Sequence, residues 1–170
     1  MKSILNRRSI RVYKKQEVER EKVERIIKAG MQAPSAHNFQ PWEFIVVRDE
    51  EKRKEISELS IYAKPAKSCD TCIVVLANMN KVEKENYWWQ QDMGACVENM
   101  LIQTVEEELG AVWLGYYPEE DRVEGMKKLF NLPDNLVTFA VIAIGYPNQE
   151  SKYEDRYDVS KVHYEVYSNK

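Results

Sequence analysis

Apolar residues along this chain fall into two rhythms. Four short runs, Trp42 to Val47, Thr71 to Ala77, Ala111 to Gly115 and Leu136 to Ile144, are dense in β-branched and aromatic residues and predict strands. The run from Thr71 to Ala77 is nearly continuous, which suits a strand buried on both faces. Between them lie segments with helical spacing. Lys2 to Arg7 predicts a short first helix. Glu17 to Gly30 places Val18, Val23, Ile26 and Ile27 on one side, with acidic residues toward its start and Gly30 as its stop. Asp49 caps a charged helix running to about Tyr62, and Pro118-Glu119-Glu120 opens another ending at Phe130. The longest helix spans Trp88 to Leu109 and is ended by Gly110. Between Met93 and Val105 its only charge is Glu98, so it is expected to be buried on more than one side, one of them in a subunit interface. After Pro147 the chain is polar and tyrosine-rich. Val159, Val162, Tyr164, Val166 and Tyr167 make it too apolar for a free tail, and it is expected to wrap over a neighbour. No repeat, linker or low-complexity segment interrupts this order, which implies one α+β domain over residues 1–170.

Composition narrows the function classes. The chain has 170 residues, 44% hydrophobic and 31% charged, enough for a core without metal or disulfide support. Its 25 basic and 28 acidic side chains leave a net charge of −3, so nucleic acid and anionic membranes are not expected partners. The first six residues do not read as a signal peptide and no run suits a membrane span, so a cytoplasmic location is expected. Three cysteines do not suggest a secreted disulfide framework.

Charge is instead concentrated locally. Arg7-Arg8-Ser9-Ile10-Arg11 gathers three guanidiniums and a hydroxyl in five residues, a set that matches the oxygens of a phosphate monoester. On its own such a cluster is more often a solvated turn. The loop Ala33-Pro34-Ser35-Ala36-His37-Asn38-Phe39-Gln40-Pro41-Trp42 shifts that balance. The amides of Asn38 and Gln40 both donate and accept, as the mixed edge of a heteroaromatic ring requires. Ser35 can bond a ring carbonyl or a ribityl hydroxyl, and Pro34 offers a flat apolar surface. Other motifs carry less. Cys69-Asp70-Thr71-Cys72 lacks the second pair of a zinc ribbon and is read as buried structural thiols. His37 and His163 have no ligand-spaced companion, so no metal is expected. No Gly-x-Gly-x-x-Gly or Gly-x-x-x-x-Gly-Lys-Ser/Thr occurs, so a nicotinamide donor would visit transiently.

Taken together, the segments resemble the FMN-dependent nitroreductases. That family carries an Arg-x-Ser-x-Arg/Lys segment near its start and a Pro-Ser-x-x-Asn-x-Gln-Pro-Trp loop, matched by Arg7 to Arg11 and Pro34 to Trp42. A later Trp-Ile/Leu-Gly element is matched by Trp113-Leu114-Gly115. A distal arginine before an Asp-x-Ser-x-x-His-Tyr-like tail is matched by Arg156, Asp158 and His163-Tyr164. The resemblance covers nearly the whole chain, in order. It implies a central, mostly antiparallel sheet flanked by helices in an intertwined homodimer. Arg7, Arg8, Ser9 and Arg156 would hold the FMN phosphate and ribityl chain, and Arg11 would approach N1 and the C2 carbonyl of the ring. Pro34, Ser35, Ala36 and Asn38 would come from the other subunit, and the backbone of Trp113, Leu114 and Gly115 would lie against the ring.

The resemblance further implies an oxidoreductase that passes hydride from NAD(P)H through flavin N5 to a nitroaromatic, quinone or similar small-molecule acceptor. No side chain need act as nucleophile or general base. A flavin storage or sensor protein with little turnover, or a specialised flavin chemistry such as reductive dehalogenation, would use the same contacts. Relative to larger members, the segments from Ala77 to Trp88 and from Gly115 to Leu136 are short, which leaves the substrate pocket undefined.

Overall fold

A computed structural model describes residues 2–82 and 87–167. The apolar runs become four antiparallel strands: β1 (Trp42–Val47), β2 (Thr71–Asn78), β3 (Gly110–Gly115) and β4 (Leu136–Gly145), in spatial order β1-β2-β4-β3. The two central strands are the two longest and are buried on both faces. Side chains there alternate between two cores. Ile73, Val75, Ala140 and Ile142 face helices α2 (Arg20–Gly30) and α5 (Trp89–Glu106). Val74, Leu76, Val141 and Ala143 face α3 (Glu50–Glu58), α4 (Pro65–Ser68) and α6 (Glu120–Phe130). The expected α+β architecture with helices on both sides of an antiparallel sheet is what forms.

Several boundaries differ from the sequence reading, each for a tertiary reason. Helix α2 starts at Arg20 and not Glu17, because Val18 is fully buried and its backbone is taken up elsewhere. Its N–H donates to Asp70 Oδ2 at 3.1 Å and its carbonyl accepts from Arg48 at 2.6 Å. Gly30 does not act as a left-handed stop, for no described glycine has positive φ. It is the contact point of α2 with α5, where a Cβ would come within 2.7 Å of the Met100 side chain. Helix α5 stops at Glu106, and Glu108 takes the left-handed turn (φ 60°) expected of Gly110. Gly110 opens β3 instead, packed so closely on Ile10 that a Cβ would approach within 2.7 Å. Helix α3 ends at Glu58, short of Tyr62, and Pro65 starts the unforeseen α4.

Helix α1 (Lys2–Asn6) leads into the arginine segment. Beyond Pro147 the described tail forms a single helical turn at Val159–Lys161 and leaves Tyr153, Tyr157, Val159, Tyr164, Val166 and Tyr167 exposed. The short segment from Ala77 to Trp88 lies partly outside the described residues.

Candidate functional site

After α1 the backbone straightens along the edge of β3. Ile10 N–H donates to Ala111 C=O at 2.9 Å, and Ser9 forms a parallel bridge to Ala111. The turn after β4 then clasps the segment from its other side. Asn148 N–H donates to Val12 C=O at 2.9 Å, and Gln149 Oε1 accepts from the N–H groups of Arg11 and Val12 at 2.8 and 3.0 Å. Tyr13 pins the far end, its buried hydroxyl donating to Ile10 C=O at 2.6 Å, and burial holds that phenol above its usual pKa. Main-chain bonds and a glutamine therefore fix most of the segment's backbone.

The structure brings three of the four expected phosphate groups together. Arg7, Arg8 and Arg156 line one pocket of about 300 Å³, with Ile4, Leu5, Tyr153, Glu154, Asp155 and Tyr157. Arg7 Nε lies 3.3 Å from Glu98 of α5. Arg8 is tied to three carbonyls, those of Lys152 (3.0 Å), Leu5 (2.9 Å) and Arg7 (2.7 Å). Its Nη2 is buried with no hydrogen-bond partner among the described residues. A buried guanidinium nitrogen without an acceptor is costly, and an anionic oxygen at this place would satisfy it. Arg156 leans on Glu154 at 3.5 Å. Ser9 is exposed beside the pocket but outside its lining.

Arg11 points elsewhere. It opens on a second pocket of about 370 Å³ shared with Ile61, Tyr62, Lys64, Pro65 and Ser68. Lys64 thus stands beside Arg11 as a second cation that the sequence reading missed. Its only signal was its place before Pro65, the residue that starts α4.

The loop from Pro34 to Gln40 is built differently. His37, Asn38 and Gln40 all have left-handed backbones, with φ of 50°, 59° and 48°. Side chains such as these tolerate that region better than most, yet each carries a cost. Two side chains offset it. Ser35 Oγ accepts from Gln40 N–H at 3.0 Å, and Asp92 Oδ1, from α5, accepts from Ala36 N–H at 2.9 Å. Asp92 is buried, and its Oδ2 has no partner among the described residues. It is the second residue that the sequence reading missed, hidden in a helix judged only by its apolar positions. Pro34 and Asn38 are exposed, and Ala36 is half-buried. Within one chain this loop lines neither pocket of the arginines.

The third element lies on β3. Trp113 is partly exposed on the α5 face, its ring centroid 5.6 Å from that of Phe139 and its edge against Gly94. Leu114 turns into the opposite core. Gly115 is exposed, with nothing within 4 Å of where a Cβ would stand, so the backbone there is open to a flat ligand. Helix α5 links these parts. It anchors Arg7 through Glu98 and the loop through Asp92, and Gly94 leaves room on it for the Trp113 ring.

The family description "Nitroreductase family" matches residues 4–70 and 61–146. A protein of Archaeoglobus fulgidus named as a candidate NADH dehydrogenase/NAD(P)H nitroreductase is 41% identical, covering 97% of both chains. A Clostridium acetobutylicum structure described as a candidate NADH oxidase is 49% identical, with a TM-score of 0.93 over 97% of this chain and 99% of that one. A nitroreductase-like protein of Desulfovibrio desulfuricans, solved in complex with FMN, is 30% identical with a TM-score of 0.82 over 98% of this chain and 96% of that one. The chain belongs to the nitroreductase family.

Proposed function

We propose that residues 1–170 form one FMN-binding unit of a cytoplasmic homodimeric oxidoreductase, which takes hydride from NAD(P)H and reduces a nitroaromatic, quinone or similar small molecule. The observation that carries this reading is the convergence of Arg7, Arg8 and Arg156 on one pocket, with Arg8 Nη2 buried and without a partner among the described residues. A phosphate monoester supplies the acceptor oxygens that this nitrogen lacks. Ser9, exposed next to the pocket, would reach the ribityl chain.

Bound FMN would supply the hydride chemistry, at its N5. The chain's own task is electrostatic. Arg11 and Lys64, which share a pocket, would stand at the pyrimidine edge and stabilise negative charge there, favouring the reduced flavin. The exposed backbone at Gly115 would admit the ring beside Trp113. Pro34, Ser35, Ala36, Asn38 and Gln40 would complete the site of the other subunit, since within their own chain they line neither arginine pocket. The exposed apolar tail, with Ile4 and Leu5, supplies surface for that dimer. Three buried free thiols suit a reducing compartment.

The test is spectroscopic. Purified protein is expected to carry, or take up, FMN with a flavin absorption spectrum, to sediment as a dimer, and to be bleached anaerobically by NADH or NADPH. A protein that refuses FMN overturns the reading. One that binds FMN but is not reduced by either donor leaves a flavin storage or sensing role.

A further inference from the structure

Cys69 and Cys72 belong neither to the arginine pockets nor to the loop from Pro34 to Gln40. Cys69 follows α4, Cys72 is the second residue of β2, and their Sγ atoms are 3.4 Å apart. A disulfide bond is about 2.05 Å long, so closure needs roughly 1.4 Å of approach between two side chains already in contact.

Their surroundings are unequal. Cys72 is fully buried in the core beside Val74 and Tyr116, and the neighbouring thiol and burial together raise its pKa well above the ordinary value. Cys69 is buried too, 3% exposed with its Sγ against the Ala66 and Thr71 carbonyls, but its residue forms part of the wall of a pocket of about 510 Å³. The hydrogen bond with Cys72 and, less strongly, the Arg53 guanidinium lower its pKa. Arg53 is locked in place by donating to the carbonyls of Arg48, Lys67 and Cys69. Lys14, Lys15 and Lys67 stand on the same wall, with Glu17, Glu50 and Asp70. Glu17 is already paired with Arg48 at 3.0 Å, and Asp70 is taken up by Val18 N–H and the Thr71 hydroxyl. Four cations, Lys14, Lys15, Arg53 and Lys67, against these three carboxylates leave the wall net positive toward an anionic ligand. A cysteine whose residue edges a pocket, with its sulfur touching a fully buried partner behind it, gives the attacking and resolving order that thiol–disulfide exchange requires.

We propose that Cys69 and Cys72 form a dithiol exchange site that accepts small anionic disulfides, with Cys69 attacking and Cys72 resolving. The Cys69 thiolate bonds to one sulfur of the small disulfide, breaks its S–S bond and releases one thiol, which takes up the proton lost from Cys69. The Cys72 sulfur then bonds to Cys69 Sγ, displaces the second thiol, and gives up its own proton to it. Two protein thiols lose two electrons, and one disulfide is reduced to two thiols. No cofactor and no partner subunit take part, so the outcome is independent of the flavin reading.

Oxidised glutathione is the probe, applied to the purified protein as isolated. The expected result is a fall in titratable thiols from the three of the sequence to one. The tryptic segment Ser68 to Lys81 holds both cysteines and excludes Cys96, and it should lose two hydrogens. Cys72→Ser should trap a glutathionyl group on Cys69, and Cys69→Ser should take up label about tenfold more slowly. Retention of all three thiols in the wild-type protein overturns the proposal, and so does a linkage through Cys96. These wild-type readings decide the matter even if a variant fails to fold.

Discussion

The segment from Arg7 to Arg11 is held along a strand edge, by main-chain bonds to β3 and by the turn after β4, whereas the loop from Pro34 to Gln40 folds on itself and is tied down by the side chains of Ser35 and Asp92. The difference decides what each can offer a ligand. In the first, strand-edge bonding satisfies the backbone, and a buried guanidinium nitrogen has no acceptor among the described residues. In the second, part of the polar inventory is spent on a backbone with three left-handed residues, so Ser35 is already engaged. Side chains should therefore dominate binding at the arginine segment, and backbone shape should dominate at the loop.

The largest expected effect tests the first half. Arg7→Ala should weaken FMN binding by roughly 1.5–3 kcal/mol, about 10- to 150-fold in Kd, by loss of a charge-assisted contact. Fluorescence titration with FMN measures it. Stability should change little, because the Arg7–Glu98 pair is partly exposed and such pairs contribute about 0–1 kcal/mol. An unchanged Kd would return Arg7 to the role of a tether to α5.

Asp92→Ala tests the second half and should show the opposite balance. Removing the carboxylate leaves Ala36 N–H without its acceptor and should cost about 1–3 kcal/mol in urea denaturation. Asp92→Asn should cost less, since an amide oxygen can still accept. If Asp92→Ala weakens FMN binding more than Arg7→Ala does, side chains do not dominate and the comparison fails. Ser35→Ala should be milder still, about 0.5–1.5 kcal/mol, since it removes one exposed bond to Gln40 N–H.

The same contrast marks what the sequence made legible. The strands were readable almost to the residue because their burial follows local pattern: Trp42 to Val47 was read with its observed bounds, and Thr71 to Ala77 missed only Asn78. The arginine segment was readable because its chemistry sits in consecutive residues. Asp92 and Lys64 were not, since their places depend on distant residues, Ala36, which Asp92 bonds, and Arg11, whose pocket Lys64 shares. The glycines were half legible for a related reason. Both read as helix stops, and α2 does end at Gly30, but Gly110 opens β3, and each is packed closely against a residue far away in sequence.

The smallest expected effect concerns the helix that carries both halves. Just past α5, Glu107 receives a two-pronged contact from Arg25 of α2, with Nε–Oε1 at 2.8 Å and Nη2–Oε2 at 2.7 Å, and a further bond from Gln103. The Arg25 hydrogen bonds, ahead of the weaker Gln103 bond and the nearby charges, hold the Glu107 carboxyl below its ordinary value of 4.5. A pKa lower in the folded than in the unfolded chain means that the folded state holds the ionised form more firmly. The contribution to stability is thus complete above 4.5, shrinks as pH falls through the folded value, and vanishes below it. Glu107→Gln should lower the melting temperature slightly at pH 7, and its curve should converge with that of the wild type in acid. Glu107 touches neither the arginine pocket nor the loop, so a simultaneous loss of FMN affinity could come only through the position of α5. That result would show the two halves are not independently held, because the helix that anchors Arg7 and Ala36 sets their spacing.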